Sequence, residues 1–213
     1  MDFELVDSSQ LANRSWELDG ALMVLPCTDV ALATRAGELA AARASAKGKV
    51  LAVLDEHRQG FVAIANQVFH ASRSPWFGYM AQDALAGRDW MGLALQALHR
   101  QRGVLLGFND GKWHGALASF GLVSRAWAAG NYLPEQGALF HAGYARHYAD
   151  AELTVLARQA KAYVYEPNSV LVEVDWGKDS AMVHAHDRAL YRQRAHEGFG
   201  GRVRDPALLE MFG

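Results

Sequence analysis

Cysteine is almost missing from this chain. Its 213 residues contain one, Cys27, so no disulfide can form within it and a small stapled fold is excluded. Excess charge is missing too. The 21 Lys and Arg residues nearly balance the 23 Asp and Glu residues, giving a formal net charge of −2. A general nucleic-acid binder carries a basic excess, so that class is disfavoured. No uncharged apolar run reaches the roughly 18 residues that a membrane-spanning helix needs. The acidic start, Met1-Asp2-Phe3-Glu4, lacks the basic and apolar regions of a signal peptide. A cytoplasmic protein is expected, with peripheral membrane contact left open. Three signature loops are also absent. There is no Gly-x-Gly-x-x-Gly after the first strand, no Walker A Gly-Lys-Ser/Thr and no Gly-x-Ser-x-Gly. Phosphate-cradling glycine loops and a hydrolase elbow therefore have no support.

What is present is apolar. Hydrophobic residues make up 51% of the chain and charged residues 21%, enough to bury one substantial core. Residues 1–20 read as a leading segment or edge strand. Residues 21–25, 50–54, 76–80 and 104–108 are short apolar runs of strand length. Between them, 30–46, 59–72 and 89–101 carry helix formers or apolar residues at helical spacing. This alternation predicts an α/β fold: a mostly parallel central sheet flanked by helices. Right-handed crossovers would place every strand's C-terminal end on one edge. The second half is less regular. It predicts a helix within 115–127, a loop over 131–143 and a helix over 149–162. Strands at 163–165 and 170–174 follow, with a turn at Pro167-Asn168 between them. A polar helix over 181–197 leads to a Gly-rich tail that either covers a ligand or docks Leu209 and Phe212. One domain is expected, with a nucleotide-binding half at about 21–110, an acceptor and catalytic half at about 111–195, and a tail over 196–213.

Three strands deliver an acid to the same edge: Asp29, Asp55 and Asp83. Ligand chemistry in α/β sheets gathers at that edge. One reading gives one carboxylate to a ribose or base and another to a divalent cation on a diphosphate. The other makes these acids caps for the helices that follow. Asp150 and Glu152 open the helix at 149–162. Spaced by two, they leave opposite sides of a helix, so only one of them can face a given cleft. That one is a candidate general base; the alternative is a pair of acids suited to the helix dipole. His184 and His186, also two apart, make a poor metal pair. Cys27 lacks an adjacent His pattern and reads as a packed thiol.

The order of these pieces resembles the inverting, nucleotide-sugar-dependent glycosyltransferases of family 2, which have the GT-A fold. Val24-Leu25-Pro26-Cys27-Thr28-Asp29 is similar to that family's first strand and nucleotide-contacting turn. Val53-Leu54-Asp55 resembles its second strand with the base-recognising Asp. Gln59-Gly60-Phe61 through Asn66 looks like the following "G-x-x-x-A-x-N" helix. Tyr79-Met80-Ala81-Gln82-Asp83-Ala84 sits where the Asp-x-Asp motif sits, and Gly87-Arg88-Asp89-Trp90 matches the start of the next helix. Ser119 through Arg125 resembles the acceptor-side segment. Asp150-Ala151-Glu152-Leu153 looks like the motif whose Asp is the catalytic base. Val172 to Lys178 and Asp187 through Tyr191 resemble a closing block of some bacterial and phage members.

The resemblance covers residues 21 to about 195. It implies Asp150 as the base, and Pro26, Thr28, Asp29, Asp55, Asn66, Gln82 and Asp83 as contacts of a UDP-, GDP- or dTDP-sugar. It implies Arg125, Arg146 and Lys178 as acceptor or phosphate contacts. It further implies a divalent cation, Mn or Mg, on Asp83, and a saccharide or lipid-linked acceptor. Gln82 and Ala84 stand where many members carry carboxylates, leaving Asp83 as a lone protein ligand. Two other functions fit the pattern: a sugar-nucleotide nucleotidyltransferase, which wants a Gly-rich loop after the first strand, and a non-catalytic binding or scaffold protein.

Overall fold

A computed structural model gives the fold; the residues described are 1–132, 137–174 and 184–213. The two most apolar runs form neighbouring strands, β3 (Ala21–Cys27) and β4 (Gly48–Leu54), paired in parallel over seven residues. Their side chains alternate between two cores. Leu22, Val24, Leu51 and Val53 enter one; Ala21, Met23, Leu25, Val50 and Ala52 enter the other. A strand buried on both faces has no polar side, so the sequence reads as a continuous apolar run.

Helices cover both faces. Those before and after β4 are α1 (Val30–Arg43) and α2 (Phe61–Ala71), with α3 (Trp90–Gln101) following. Ala33, Ala36 and Ala40 of α1 and Trp90, Met91 and Ala94 of α3 fill the second core. Val62, Ile64, Val68 and Phe69 of α2 fill the first. Trp90 Nε1 donates to Ala40 O at 2.9 Å, joining α3 to α1. The edge strand β1 (Asp2–Asp7) lies parallel to β4. A pair of two-residue strands, β2 (Trp16–Glu17) and β5 (Ser72–Arg73), forms a separate small ribbon.

The rest of the main sheet departs from simple alternation. In chain order it adds β6 (Trp76–Tyr79), β7 (Ala84–Ala86), β8 (Leu105–Asn109), β9 (Gly121–Ser124) and β10 (Tyr163–Glu173). The spatial order is β1-β4-β3-β6-β9-β8-β10-β7. β9 is antiparallel to both neighbours, and β7 is antiparallel to β10. The four strands of the expected alternation, β3, β4, β6 and β8, do point one way; β7 and β9, not expected as strands, run against them. The mostly parallel sheet between helices is as expected.

The helix expected within 115–127 is corrected to β9 followed by the short α4 (Arg125–Ala129). Pairing on both sides overrides the local spacing. Gly121 lies so close to β6 that a Cβ there would sit 2.6 Å from Tyr79 Oη. The two strands expected around Pro167-Asn168 are one strand, β10, whose register shifts between Tyr165 and Val170.

The helices of the second half of the chain are α5 (Ala149–Gln159) and α6 (Ala185–His196), followed by short helical turns at Gly198–Gly201 and Pro206–Leu209. Glu152 of α5 is fully buried. Arg194 of α6 meets it with two nitrogens, at 2.7 and 2.6 Å, and Tyr144 Oη donates to it at 2.8 Å. Burial raises the Tyr144 hydroxyl's pKa first, and the Glu152 charge raises it further, so Tyr144 stays a donor. Removing one partner of a buried pair strands the other charge. Arg194→Met is expected to destabilise the fold by about 3–5 kcal/mol. The double change Glu152→Met with Arg194→Met should recover much of that loss. Urea unfolding of the three proteins checks this.

Candidate active site

Chain geometry alone gathers three of the expected segments. The Asp55 N–H donates to Cys27 O at 2.8 Å, so the end of β4 lies against the end of β3. The N–H groups of Thr28 and Asp29 donate to Gln82 Oε1 at 2.8 and 3.0 Å, bringing in the turn after β6. Pro26 sits beyond the last bond from the β6 side, Met80 N–H to Val24 O, where a missing N–H leaves no gap in the ladder. Thus Pro26, Thr28, Asp29, Asp55, Gln82 and Asp83 share the C-terminal edge of three adjacent parallel strands.

Two of those acids also serve the backbone. Asp29 caps α1, accepting from Leu32 N–H at 3.0 Å. The buried Asp55 carboxylate accepts from the N–H of Gln59 and Gly60, both at 2.8 Å, and shapes the turn into α2. Gly60 has φ +98°, and a Cβ there would lie 2.8 Å from Ala145 O, so glycine is needed on both counts. Asp83 is half-buried, and among the described residues no hydrogen bond or ion pair engages its carboxylate. Cys27 lies beneath this edge. Burial first, then the charges of Asp29 and Asp55, push its thiol up to about 11, so it is no nucleophile at neutral pH.

A cleft of about 800 Å³ adjoins this edge through Ala81. Asp150, in the first turn of α5, lines it, while Glu152 points the other way into the core. Arg146, His147, Tyr148, Glu173 and Arg188 supply further polar lining; Phe61, Trp113, Phe140 and Phe212 supply apolar lining. The loop before α5 is held by one buried acid. Asp187 accepts from the N–H of Ala145, Arg146 and His147 at 3.1, 2.9 and 2.9 Å, with His184 Nδ1 at 3.3 Å. Burial alone would raise the Asp187 carboxyl. The three amides and His184 outweigh it and hold the group below its ordinary value of 3.8.

Two expected residues are elsewhere. Arg125 follows β9, and because β9 runs antiparallel its C-terminal end lies beside Trp76, at the start of β6. That is the opposite edge of the sheet. There its guanidinium donates to Ser74 O, Phe69 O and Ser72 Oγ at 3.0, 2.8 and 2.6 Å, and stands 4.1 Å from the Phe69 ring centroid. Arg125 is a structural clamp at that edge and does not line the cleft. Asn66 exchanges two hydrogen bonds with the Phe140 backbone, each 3.0 Å, and so braces the wall of the cleft. Lys178 lies outside the described residues.

Other residues of the site carried no periodic signal, although Glu173, Asp187 and Arg188 fall in the segments that resemble the family's closing block. Glu173 pairs across from Ala84, which brings a carboxylate-bearing residue beside the Gln82-Asp83 turn; only strand register reveals that. Asp187 and Arg188 sit on a polar helix, and Trp113 in a turn, without periodicity to mark them. Among the described residues no three His, Cys, Asp or Glu side chains gather in a way that could hold a metal. The donor chemistry at the edge is nonetheless that of a hard cation, which often takes one or two carboxylates and fills its shell with phosphate and water.

No family model matches the chain, and no curated protein matches it in sequence. Solved structures do match in fold. One is the mannosyltransferase PcManGT from Pyrobaculum calidifontis, solved in complex with GDP-Man and Mn2+. The likeness covers 95% of this chain and 72% of that one, with a TM-score of 0.56 and 12% identity. The chain has a GT-A-like fold. No helix among the described residues is long and apolar enough to cross a membrane.

The lowered Asp187 carboxyl makes a pH prediction. Its folded pKa lies below its unfolded one, so it contributes stability that is complete above pH 3.8 and is lost as pH falls through the folded value. Asp187→Asn should remove that part of the acid-side slope, as read from thermal unfolding between pH 6 and about pH 2.

Proposed function

We propose that this chain is a nucleotide-sugar-dependent glycosyltransferase. In this reading it moves a sugar, with inversion, to a hydroxyl acceptor in surface polysaccharide or glycoconjugate synthesis in the cytoplasm. The observation that carries it is the place of Asp150. It is the first-turn carboxylate of α5 that lines the cleft, and that cleft opens beside the strand edge where Asp29, Asp55 and Asp83 meet. A fold shared with a GDP-Man-bound mannosyltransferase supports the reading.

The nucleotide half is residues 21–110, and Pro26, Thr28, Asp29, Asp55 and Gln82 border the nucleotide, which is a UDP, GDP or dTDP group. An acceptor hydroxyl in the other half, residues 111–195, attacks the anomeric carbon. The new C–O bond forms as the bond to the diphosphate breaks, and Asp150 takes the hydroxyl proton. Arg146 and Arg188, both lining the cleft, offer charge to the phosphates or the acceptor. A divalent cation, Mn or Mg, held by Asp83 would offset the charge developing on the leaving diphosphate. A nucleotidyltransferase is the weaker reading, because the turn after β3 is closed by Gln82 and Asp29, not by a glycine loop.

Asp150→Asn should lower sugar transfer by roughly 10²–10⁴-fold, the range of a general base. Nucleotide affinity by calorimetry should stay unchanged. A mass-spectrometric donor screen supplies the substrate, and undiminished transfer would remove Asp150 from the role of base. Asp83→Asn should abolish the Mn2+-dependent part of nucleotide binding while leaving the melting temperature as it was. A variant that keeps its Mn2+ response would exclude Asp83 as the ligand.

A further inference from the structure

Beyond the donor, the cleft carries a feature that the proposed chemistry does not use. Trp113 lines it and keeps 38% of its surface exposed. A single exposed apolar residue is ordinary on a protein surface. This one differs in how firmly it is held and in what surrounds it. The buried Asp110 accepts from the N–H of Lys112 and Trp113 at 2.9 and 2.8 Å, and its second oxygen meets Ser119 Oγ. Gly115, at φ +82°, packs so closely on the Tyr165 ring that a Cβ there would approach it to 2.5 Å. The turn between β8 and β9 is thus pinned on both sides of the tryptophan. The Phe212 ring stands nearly perpendicular to the indole, 6.5 Å between centroids.

The setting favours one class of ligand. Trp113 lies in the acceptor half, just past the C-terminal end of β8, on the same sheet edge as the strand-end acids but two strand places beyond β6. Leu117, Phe120 and Phe140 continue its apolar surface, while Ser119, Arg146, Asp150 and Arg188 form polar lining of the same cleft. A pyranose ring has that division: a C–H face suited to an aromatic platform and a rim of hydroxyls suited to charged and polar side chains. A lipid chain would need a channel free of such charges.

We propose that Trp113 is the stacking platform of an acceptor subsite, and that the acceptor group bound there is a saccharide ring. This rests on the glycosyltransferase reading.

The test separates the two. Saturation-transfer NMR on the full chain, using methyl glycosides of glucose, galactose, mannose and N-acetylglucosamine, reads sugar binding. Calorimetry with UDP and GDP in the presence of Mn2+ reads the donor side. At least one glycoside should receive transfer. Trp113→Ala should weaken it about tenfold, equal to about 1.4 kcal/mol, and Trp113→Phe should keep most of it. Nucleotide affinity should be the same in all three proteins. Equal sugar binding in Trp113→Ala, or no transfer to any glycoside while nucleotide binds, overturns the subsite and leaves the glycosyltransferase reading standing. Absence of nucleotide binding with sugar binding intact overturns the donor reading instead.

Discussion

A carboxylate taken fully out of water is the constraint around which the second half of the chain is arranged. Glu152 tolerates burial because Arg194 meets it with a two-point fork and Tyr144 adds a third donor. Those partners come from α6 and from the loop before α5. One side chain therefore sets the rotation of α5 about its axis, the seat of α6 and the path of the entering loop. Rotation matters most for the chemistry. Two residues are separated by about 200° around a helix, so holding Glu152 inward turns Asp150 outward. The acid that lines the cleft owes its direction to the acid that does not.

Most acids around the cleft share a second task. Asp29, Asp55, Asp110 and Asp187 each accept backbone N–H groups at a turn. Such turns leave amides without helix or sheet partners, and a carboxylate satisfies two or three at once. Asp29 and Asp55 thus meet the capping expectation raised for the strand-end acids, and a capping carboxylate can still border a ligand. Asp187 binds three consecutive amides immediately before α5, which fixes the approach of Arg146 and His147 to the cleft. In effect, backbone order is built from the same residue type that the proposed reaction uses. The Asp83 carboxylate, without such a bond among the described residues, is the exception that suits a ligand.

Legibility in the sequence followed the range of the interactions. β3, β4, α1, α2 and α3 were readable because their signals are local: continuous apolar runs, helical spacing and a break such as Ser74-Pro75. β9 was not. Its four residues become a strand only by pairing with β6 on one side and β8 on the other, the first more than 40 residues earlier in the chain. The misplacement of Arg125 follows from that one error, because a strand's direction decides which edge its end reaches. Asn66 lay on a correctly read helix, yet its partner is Phe140, 74 residues away. Glu173 and Trp113 joined the site through strand register and a loop turn, neither of which leaves a periodic trace.

By itself the sequence determined the α/β class, the buried central strands, the acids at their ends and the choice between Asp150 and Glu152 as a question with one answer. These depend on side-chain periodicity and on chain neighbours. Only the tertiary structure decided which acid turned inward, which edge received Arg125 and which turn brought Trp113 to the cleft. Those outcomes depend on partners far apart in the chain. Arg194 lies 42 residues beyond Glu152, and the enforcing energy is the desolvation of a charge that exists only once the core has closed.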